Sequence, residues 1–197
     1  MKILVTAFGP FGGRTENASS LALRGLKSRL PEIRTRILPV DSLVAQARLI
    51  RAFRQVRPDA VIMLGEAAGS QEIRLETTAW NELDFRIPDI AGRQPRSQPI
   101  ISDAADRLSS TLPLERFHEI LVADGHPVNF SADPGRYLCN QVFYTARHHF
   151  ERRAISCPAG FIHLPLAQDY PTEKAVAALV AAIRSLTPCH RPAASRA

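Results

Sequence analysis

The stretch LVAQARLIRAFRQVRPDAVIMLG, residues 43–65, joins the two patterns that decide the fold class. In its first part, apolar residues recur at helical spacing and predict a helix that begins after Asp41 or Ser42. The residues expected on the inward face of this helix are Leu43, Ala47, Ile50 and Phe53. The second part, DAVIMLG, is an unbroken apolar run typical of a strand buried on both faces. A helix that leads directly into such a strand indicates an α/β protein.

The same alternation of strands and helices extends along the chain in both directions. The other expected strands are residues 2–8, 34–40, 72–81, 126–131 and 159–165. The other expected helices are residues 18–30 with Asn17 as cap, 113–124, 136–150 and 172–186. This order predicts a mostly parallel, twisted central sheet with helices on both faces. We expect one domain over residues 1–186, with a surface excursion at 86–99, and a loose tail over 187–197.

The composition is that of an ordinary globular protein. The chain has 197 residues, of which 45% are hydrophobic and 22% charged. No apolar run approaches the ~20 residues needed to cross a bilayer. The apolar part of the N-terminal MKILVTAFGPFGG is too short for a signal peptide. We therefore expect a cytoplasmic protein that does not bind membranes. Its three cysteines form no CxxC pair, so we expect reduced thiols and no metal site.

The net charge of +6 raises the possibility of a nucleic-acid-binding α/β domain. The basic residues are scattered, however, and no run of five or more occurs. A solvated basic surface explains such a distribution better than nucleic-acid binding does. We expect no nucleic-acid partner.

The segment DPGRYLCNQVFY, residues 133–144, places Cys139 just after a Pro-Gly turn and before a helix-like pattern. In the first turn of a helix, the free N–H groups and the helix dipole favour a thiolate, which is the nucleophilic form. Free cysteines are also among the most buried residues. From position alone, a core thiol is the more frequent case, and both interpretations stay open.

A thiolate nucleophile needs a base, and His163 is the first candidate. It lies in the buried-looking strand GFIHLP, where an imidazole needs a polar partner. His148 and His149 lie farther along the predicted helix. At 1.5 Å per residue they are about 14 Å from Cys139, which is too far for direct proton transfer.

The base in turn needs a group that orients it. Glu76, in IRLETTAW, is a carboxylate on a predicted strand and is the first candidate for this role. Asp84 and Asp89 are competitors that belong to the less regular segment LDFRIPDIAG. The choice between them stays open on sequence pattern alone.

Two aromatic residues flank the turn AFGPFGG, residues 7–13. Phe8 and Phe11 follow the first predicted strand, at the carboxyl edge where α/β proteins form their sites. From position they could equally be caps of the core or walls of a small apolar pocket.

Taken in order, these segments resemble the pyroglutamyl peptidase type I family, also called pyrrolidone-carboxylate peptidases. The matching stretches are KILVTAFGPFGG with Asn17 and Ser19, LPV at 38–40, IRLETTAWNELDFRIPD, GRYLCNQVFY and GFIHLP. The resemblance covers most of the chain, residues 1 to 170. It implies a three-layer α/β/α sandwich, no metal or cofactor, and a homo-oligomer, either a dimer or a tetramer.

The resemblance also implies a role for each candidate residue. The implied enzyme is a cysteine exopeptidase that removes an N-terminal pyroglutamyl residue from peptides through a thioacyl intermediate. Cys139 would be its nucleophile, His163 its base and Glu76 the group that orients the histidine. The pocket for the pyroglutamyl ring would be formed by Phe8, Phe11 and Asn17.

Three features depart from the family pattern. Ser70 stands where the family's glycine-rich loop usually ends in arginine, and Arg74 and Arg136 are candidates to replace that guanidinium. Pro134 removes a possible backbone donor before the cysteine. Glu66 is acidic where the ring is neutral, which suggests the hypothesis that it admits a charged N-terminal amine. The alternative is therefore a divergent member with an altered substrate, or one that has lost activity and serves as a binding or scaffold protein.

Overall fold

The computed structural model of the protein describes residues 1–186, and the expected loose tail at 187–197 lies outside the described residues. The helices of this part are α1 (Ala18–Arg29), α2 (Ser42–Val56), α3 (Leu114–Ala123), α4 (Leu138–Arg152) and α5 (Thr172–Arg184). Its strands are β1 (Ile3–Phe8), β2 (Arg34–Leu38), β3 (Ala60–Glu66), β4 (Ile73–Glu76), β5 (Thr78–Trp80), β6 (Arg107–Ser109), β7 (Val128–Ser131) and β8 (Ala159–Leu164). Every helix and strand expected from the sequence has a counterpart here.

Six of the strands form the central sheet, in the order β2-β1-β3-β8-β4-β7. The first four strands of this order are parallel to one another. Strand β4 runs antiparallel to β8 and parallel to β7. The sheet is therefore mixed and mostly parallel, as the sequence predicts.

The helices cover both faces of the sheet and give the three-layer α/β/α architecture. Helices α1, α3 and α5 pack with one face around the first hydrophobic core. Helices α2 and α4 pack with the other face around the second core. The sheet strands of both cores are largely buried, which explains why their sequences are continuous apolar runs. No helix within residues 1–186 is long and apolar enough to cross a membrane.

The expected strand over residues 72–81 is in fact two strands. Strand β4 stays in the central sheet, and at Thr77 the chain leaves that sheet, with the Thr77 amide bonded to the Ser131 carbonyl. Strand β5 then pairs with β6 in a separate antiparallel ribbon. Strand β6 was not expected from the sequence, because its three residues, Arg107–Ser109, are too few to show a periodic pattern.

The predicted inward face of α2 is wrong in part. Phe53 is buried as expected, but Leu43 is 58% exposed and Ala47 is also exposed. The apolar residues that are buried instead are Ala45, Leu49, Ala52 and Phe53. Both stripes have helical spacing, and small alanines let the helix approach α4 closely. Packing, not the pattern, selects between the two stripes.

The topology brings several chain segments to one edge of the sheet. The carboxyl ends of the parallel strands β1, β3 and β8 meet there, and the antiparallel strand β4 begins there. Gly65 and Arg74 are both register partners of His163, on its two neighbouring strands. This edge carries the site described next.

Candidate active site

Helix α4 begins at Leu138, so Cys139 lies in its first turn, as the sequence predicts. Tyr137 is the N-cap residue, and its side chain makes no capping hydrogen bond. The first N–H groups of a helix have no intrahelical acceptor, and they favour negative charge nearby. Cys139 is only partly buried. Its surroundings therefore differ from those of a sealed core thiol.

The thiol lies against the end of β3. A Cβ atom added at Gly65 would be 2.9 Å from Sγ of Cys139 and 2.7 Å from the ring of Phe161. Only glycine leaves room here, so a residue without a side chain lets the thiol reach the sheet edge.

His163 lies beside Cys139 on β8 and is buried, at 6% exposure. Burial alone lowers the pKa of this imidazole. The neighbouring Cys139, through charge and a hydrogen bond, and then Glu76 outweigh that effect and raise the pKa to about 9. The site therefore stabilises the imidazolium form of His163, and the thiol and the carboxylate are its partners.

Glu76 lies behind His163. Its side chain is fully buried, and its Oε1 is 2.8 Å from Nδ1 of His163. An ionised carboxylate can only accept, so Nδ1 donates to Glu76 and leaves Nε2 for the thiol. The antiparallel pairing of β4 with β8 places Glu76 and His163 diagonally on the same face of the sheet.

The other candidates for the orienting carboxylate and for the base have other partners. The buried carboxylate of Asp89 accepts hydrogen bonds from the amide and hydroxyl of Ser42. Asp84 forms an exposed ion pair with Arg96. His149 lies near Arg153 and packs on Phe53, far along α4 from the thiol.

An aromatic wall lies next to the thiol. The ring of Tyr137 packs between Phe11, at 5.5 Å between centroids, and Phe85, at 4.4 Å. Its hydroxyl donates to the Pro88 carbonyl. Burial, then the charges of Asp89 and Cys139, raise the pKa of Tyr137, so it stays a neutral phenol. Tyr137 was not among the site residues expected from the sequence, because a tyrosine at a helix start carries no pattern that indicates its neighbours.

Asn17 caps α1 as predicted. Its Oδ1 accepts from the amide of Ser19 at 3.0 Å and from the hydroxyl of Ser19 at 2.6 Å. The Ser19 hydroxyl in turn accepts from the amide of Phe8. Because the oxygen of Asn17 is used in this way, its amide nitrogen is the group left to meet a ligand.

One cavity of about 870 Å³ joins these features. The predicted site residues that line it are Phe8, Phe11, Asn17, Cys139 and His163. Glu76 does not line the cavity and lies behind the imidazole. The cavity volume falls in the upper part of the range for small-molecule sites, about 300–1,000 Å³.

The turn before Cys139 is firmly held. Asp133 Oδ1 accepts from the amide of Gly135 at 3.1 Å and from the guanidinium of Arg136. Arg136 also donates to Glu82 at 2.8 Å and lies over the ring of Trp80. The turn is thus fixed by side-chain contacts. Pro134 has no backbone N–H to donate, but the start of the helix is not loosened by this.

The comparisons with known proteins bear on this geometry. The model of a family described as pyroglutamyl peptidase matches residues 1–186. The chain belongs to the pyroglutamyl peptidase family.

Among proteins of this family, the chain is 35% identical over 176 residues to pyrrolidone-carboxylate peptidase 1 of Caldanaerobacter subterraneus subsp. tengcongensis, covering 88% of this chain and 87% of that protein. It is 36% identical over 175 residues to the pyrrolidone-carboxylate peptidase of Vibrio parahaemolyticus, covering 87% and 82%. The solved pyrrolidone carboxyl peptidase from Thermococcus litoralis superimposes with a TM-score of 0.85 at 29% identity, covering 97% of this chain and 99% of that one. A mutant of the Pyrococcus furiosus enzyme gives a TM-score of 0.86 at 31% identity, covering 93% and 97%.

Against the pattern of the pyroglutamyl peptidase family, the departure at Glu66 has a structural explanation. Its Oε1 is paired with the guanidinium of Arg14, and its Oε2 accepts from the amide of Ala18 at 2.7 Å. Both oxygens are therefore engaged, and the charge is balanced by an arginine and a helix start. This arrangement argues against the hypothesis that Glu66 receives a charged N-terminal amine.

The departure at Ser70 is accompanied by a guanidinium nearby. Ser70 is buried, and its Oγ accepts from Nε of Arg74 at 3.2 Å. Arg74 lines the cavity, whereas Arg136, the other candidate replacement, is held by two carboxylates. Of the two, Arg74 is the one whose terminal nitrogens stay available.

A metal centre has no obvious place in this part of the chain. Within residues 1–186, no three of the histidine, cysteine, aspartate and glutamate side chains are grouped so that they could hold a metal ion.

Proposed function

We propose that this chain is a cysteine exopeptidase that removes an N-terminal pyroglutamyl residue from peptides. The observation that supports this most is the arrangement of three side chains: Cys139 lies beside His163, and His163 is bonded to Glu76. Cys139 lines a cavity with aromatic walls. The chain's family supports the reaction class. The proposed substrates are peptides that begin with pyroglutamate, and no cofactor takes part.

The first step forms the nucleophile and the first covalent bond. His163 Nε2 takes the thiol proton of Cys139, and the raised pKa of His163 favours the resulting thiolate–imidazolium pair. Sγ attacks the carbonyl carbon of the pyroglutamyl residue, and the carbonyl electrons move to oxygen. The free N–H groups at the start of α4 face the oxyanion that develops.

The second step releases the peptide. The carbon–nitrogen bond breaks as the oxyanion collapses, and His163 gives its proton to the leaving amine. The pyroglutamyl group remains on Cys139 as a thioester. Water, deprotonated by the now neutral His163, attacks this thioester and releases free pyroglutamate and the thiolate.

Glu76 keeps His163 in the correct tautomer through both steps. Its hydrogen bond to Nδ1 leaves Nε2 facing the thiol, and its charge stabilises the imidazolium. Within the described residues, Oε2 of Glu76 has no hydrogen-bond partner. The hydrogen bond to His163 is thus the one that the described residues give this carboxylate.

The pocket suits a small neutral lactam. Phe11 and Tyr137 contribute aromatic rings, and Phe8, the last residue of β1, lines the cavity as well. The amide nitrogen of Asn17 is available to donate to the ring carbonyl. Since Glu66 is already neutralised by Arg14, the pocket offers no unpaired acid at that position for a charged amine.

A fluorogenic assay tests the proposal. The wild type should release the amine from pyroglutamyl-aminomethylcoumarin, and Cys139→Ala should not. Cys157→Ala, which changes a buried thiol outside the cavity, is the matched control and should retain activity. Activity that survives in Cys139→Ala would contradict the mechanism. A wild type with no activity would favour the divergent binding or scaffold protein.

Two further expectations remain predictions. A cytoplasmic location and assembly into a dimer or tetramer are both proposed for this chain. Fractionation of cells and light scattering of the purified protein measure them directly.

A further inference from the structure

Arg74 is a charged residue of the cavity that the proposed mechanism does not use. Its Nε donates to the buried Ser70 hydroxyl. Ser70 is itself fixed by a hydrogen bond from its hydroxyl to the Glu72 carbonyl at 2.8 Å. Nε of Arg74 is therefore bonded to an acceptor that is itself held in place, and its terminal nitrogens make no hydrogen bond within residues 1–186.

The charge of Arg74 is not neutralised by the protein. Of the other three arginines of the cavity, Arg14 pairs with Glu66 and Arg136 with Glu82 and Asp133, whereas Arg86 is exposed. For Arg74, no carboxylate within residues 1–186 lies at ion-pair distance, and neither terminal nitrogen donates to a protein acceptor. A fixed, partly buried guanidinium without a partner is suited to bind a carboxylate of a ligand.

The sheet register places Arg74 relative to the reacting groups. Gly65 on β3, His163 on β8 and Arg74 on β4 are direct register partners. The pairing of Thr6 with Met63, continued by two residues, puts Phe8 of β1 level with Gly65. Neighbouring strands are about 4.8 Å apart, so these residues form one row across the sheet edge.

The sequence of residues in this row indicates how the parts of the substrate lie along the sheet edge. The ring pocket lies at the Phe8 end, Sγ of Cys139 lies over Gly65, and His163 protonates the leaving amine on the next strand. Arg74 lies one strand beyond His163, on the side opposite the ring. It is therefore placed where the residue after pyroglutamate begins.

We infer that Arg74, oriented by Ser70, forms a subsite that recognises a carboxylate on the residue after pyroglutamate. The inference rests on the proposed exopeptidase function and deepens it. The carboxylate has two possible sources: an acidic side chain at that residue, or the free terminus of a pyroglutamyl dipeptide. Both offer two oxygens to the fork of the guanidinium.

Two pairs of substrates test the subsite and separate these sources. Pyroglutamyl-glutamate amide is compared with pyroglutamyl-glutamine amide, and pyroglutamyl-alanine with pyroglutamyl-alanine amide. In the wild type, kcat/KM should be about tenfold higher for the acidic member of at least one pair. A tenfold ratio corresponds to the lower end of the free energy that a hydrogen bond to a charged group contributes. In Arg74→Gln this ratio should fall to about one. The ratio is read within one variant, so a general loss of activity does not affect it.

The matched control is Arg86→Gln, which removes another arginine of the cavity. Arg86 is exposed and lies outside the strands that form the row, so this substitution should leave the ratio unchanged. If Arg74→Gln does not fold, the same ratio is measured in Arg74→Lys and in the wild type at raised salt. Lysine lacks the fork and should reduce the ratio in part, and raising NaCl from about 0.05 M to about 0.5 M should reduce it in the wild type.

The outcomes separate this inference from the function on which it rests. Suppose that the wild type cleaves neutral pyroglutamyl peptides and has the same kcat/KM for the acidic and the neutral member of each pair. This result would contradict the subsite but not the proposed exopeptidase function. An acid preference that Arg74→Gln retains would also contradict the subsite. A wild type that cleaves no pyroglutamyl substrate would overturn both.

Discussion

At the scale of single residues, the site depends on how three ionisable groups share their protons. Cys139 and Glu76 lie on either side of His163 and together raise its pKa, against the effect of burial. Position and pattern alone left Cys139 and Glu76 open, and the resemblance to a known family was needed to select these three residues. The sequence could not supply Tyr137 as a wall of the pocket, since a tyrosine at a helix start carries no pattern that indicates its contacts with Phe11 and Phe85.

The raised pKa of His163 predicts the alkaline limit of activity. The imidazolium must carry a proton for the leaving amine, and it does so below a pKa of about 9. We expect kcat/KM to stay high up to pH of about 9 and to fall above it. A profile of the wild type between neutral and strongly alkaline pH measures this limit. A fall centred near 6.5, the ordinary pKa of histidine, would show that the site does not stabilise the imidazolium.

Substitution of Glu76 by glutamine removes the charge behind His163 and keeps the shape. A glutamine amide can donate to Nδ1, which favours the wrong tautomer and leaves the imidazolium without a counter-charge. We expect kcat to fall by about 100-fold or more. Steady-state kinetics of Glu76→Gln check this, with Glu72→Gln, an exposed acid just before β4, as the control. Equal kinetics in the two variants would exclude an orienting role for Glu76.

At the scale of the elements, the site depends on where one helix and three strands end or begin. Local patterns in the sequence give the start of α4 and the strand β8. They do not give the direction of β4, because an antiparallel strand next to β8 has the same apolar pattern as a parallel one. That direction determines that Glu76 lies behind His163 and that Arg74 lies level with it.

Close contact between β3 and α4 makes Gly65 a sensitive position. The methyl group of Gly65→Ala would meet both Phe161 and the thiol of Cys139, so one of them must move. We expect a lower melting temperature and a loss of kcat of about tenfold or more, since small displacements at a reacting centre are costly. Gly160→Ala, whose methyl would meet Ser110 and Leu112, is the matched control for packing. The prediction is wrong if the two variants lose stability and activity in equal proportion.

At the scale of the whole molecule, the proposed subsites follow the order of the strands at one edge of the sheet. The alternation of strands and helices predicted a mostly parallel sheet with helices on both faces, and the resemblance to a known family added the three-layer sandwich and its site. The proposal of subsites needed the strand order. In that order the thiol lies against the end of β3, the imidazole is on β8 and Arg74 is on β4, and we propose the ring pocket at β1. No local pattern carries that order, because it arises from long-range pairing between strands.

The central claim is that Cys139 attacks a pyroglutamyl carbonyl held in the aromatic pocket. A chloromethyl ketone that carries the pyroglutamyl group tests the nucleophile and the pocket together. The mass spectrum of the labelled, digested protein should show one label per chain, on Cys139, with activity lost in proportion. The prolyl reagent, which lacks the lactam carbonyl, should label Cys139 much more slowly. Labelling of Cys157 at the same rate as Cys139, or equal rates with the two reagents, would contradict the account.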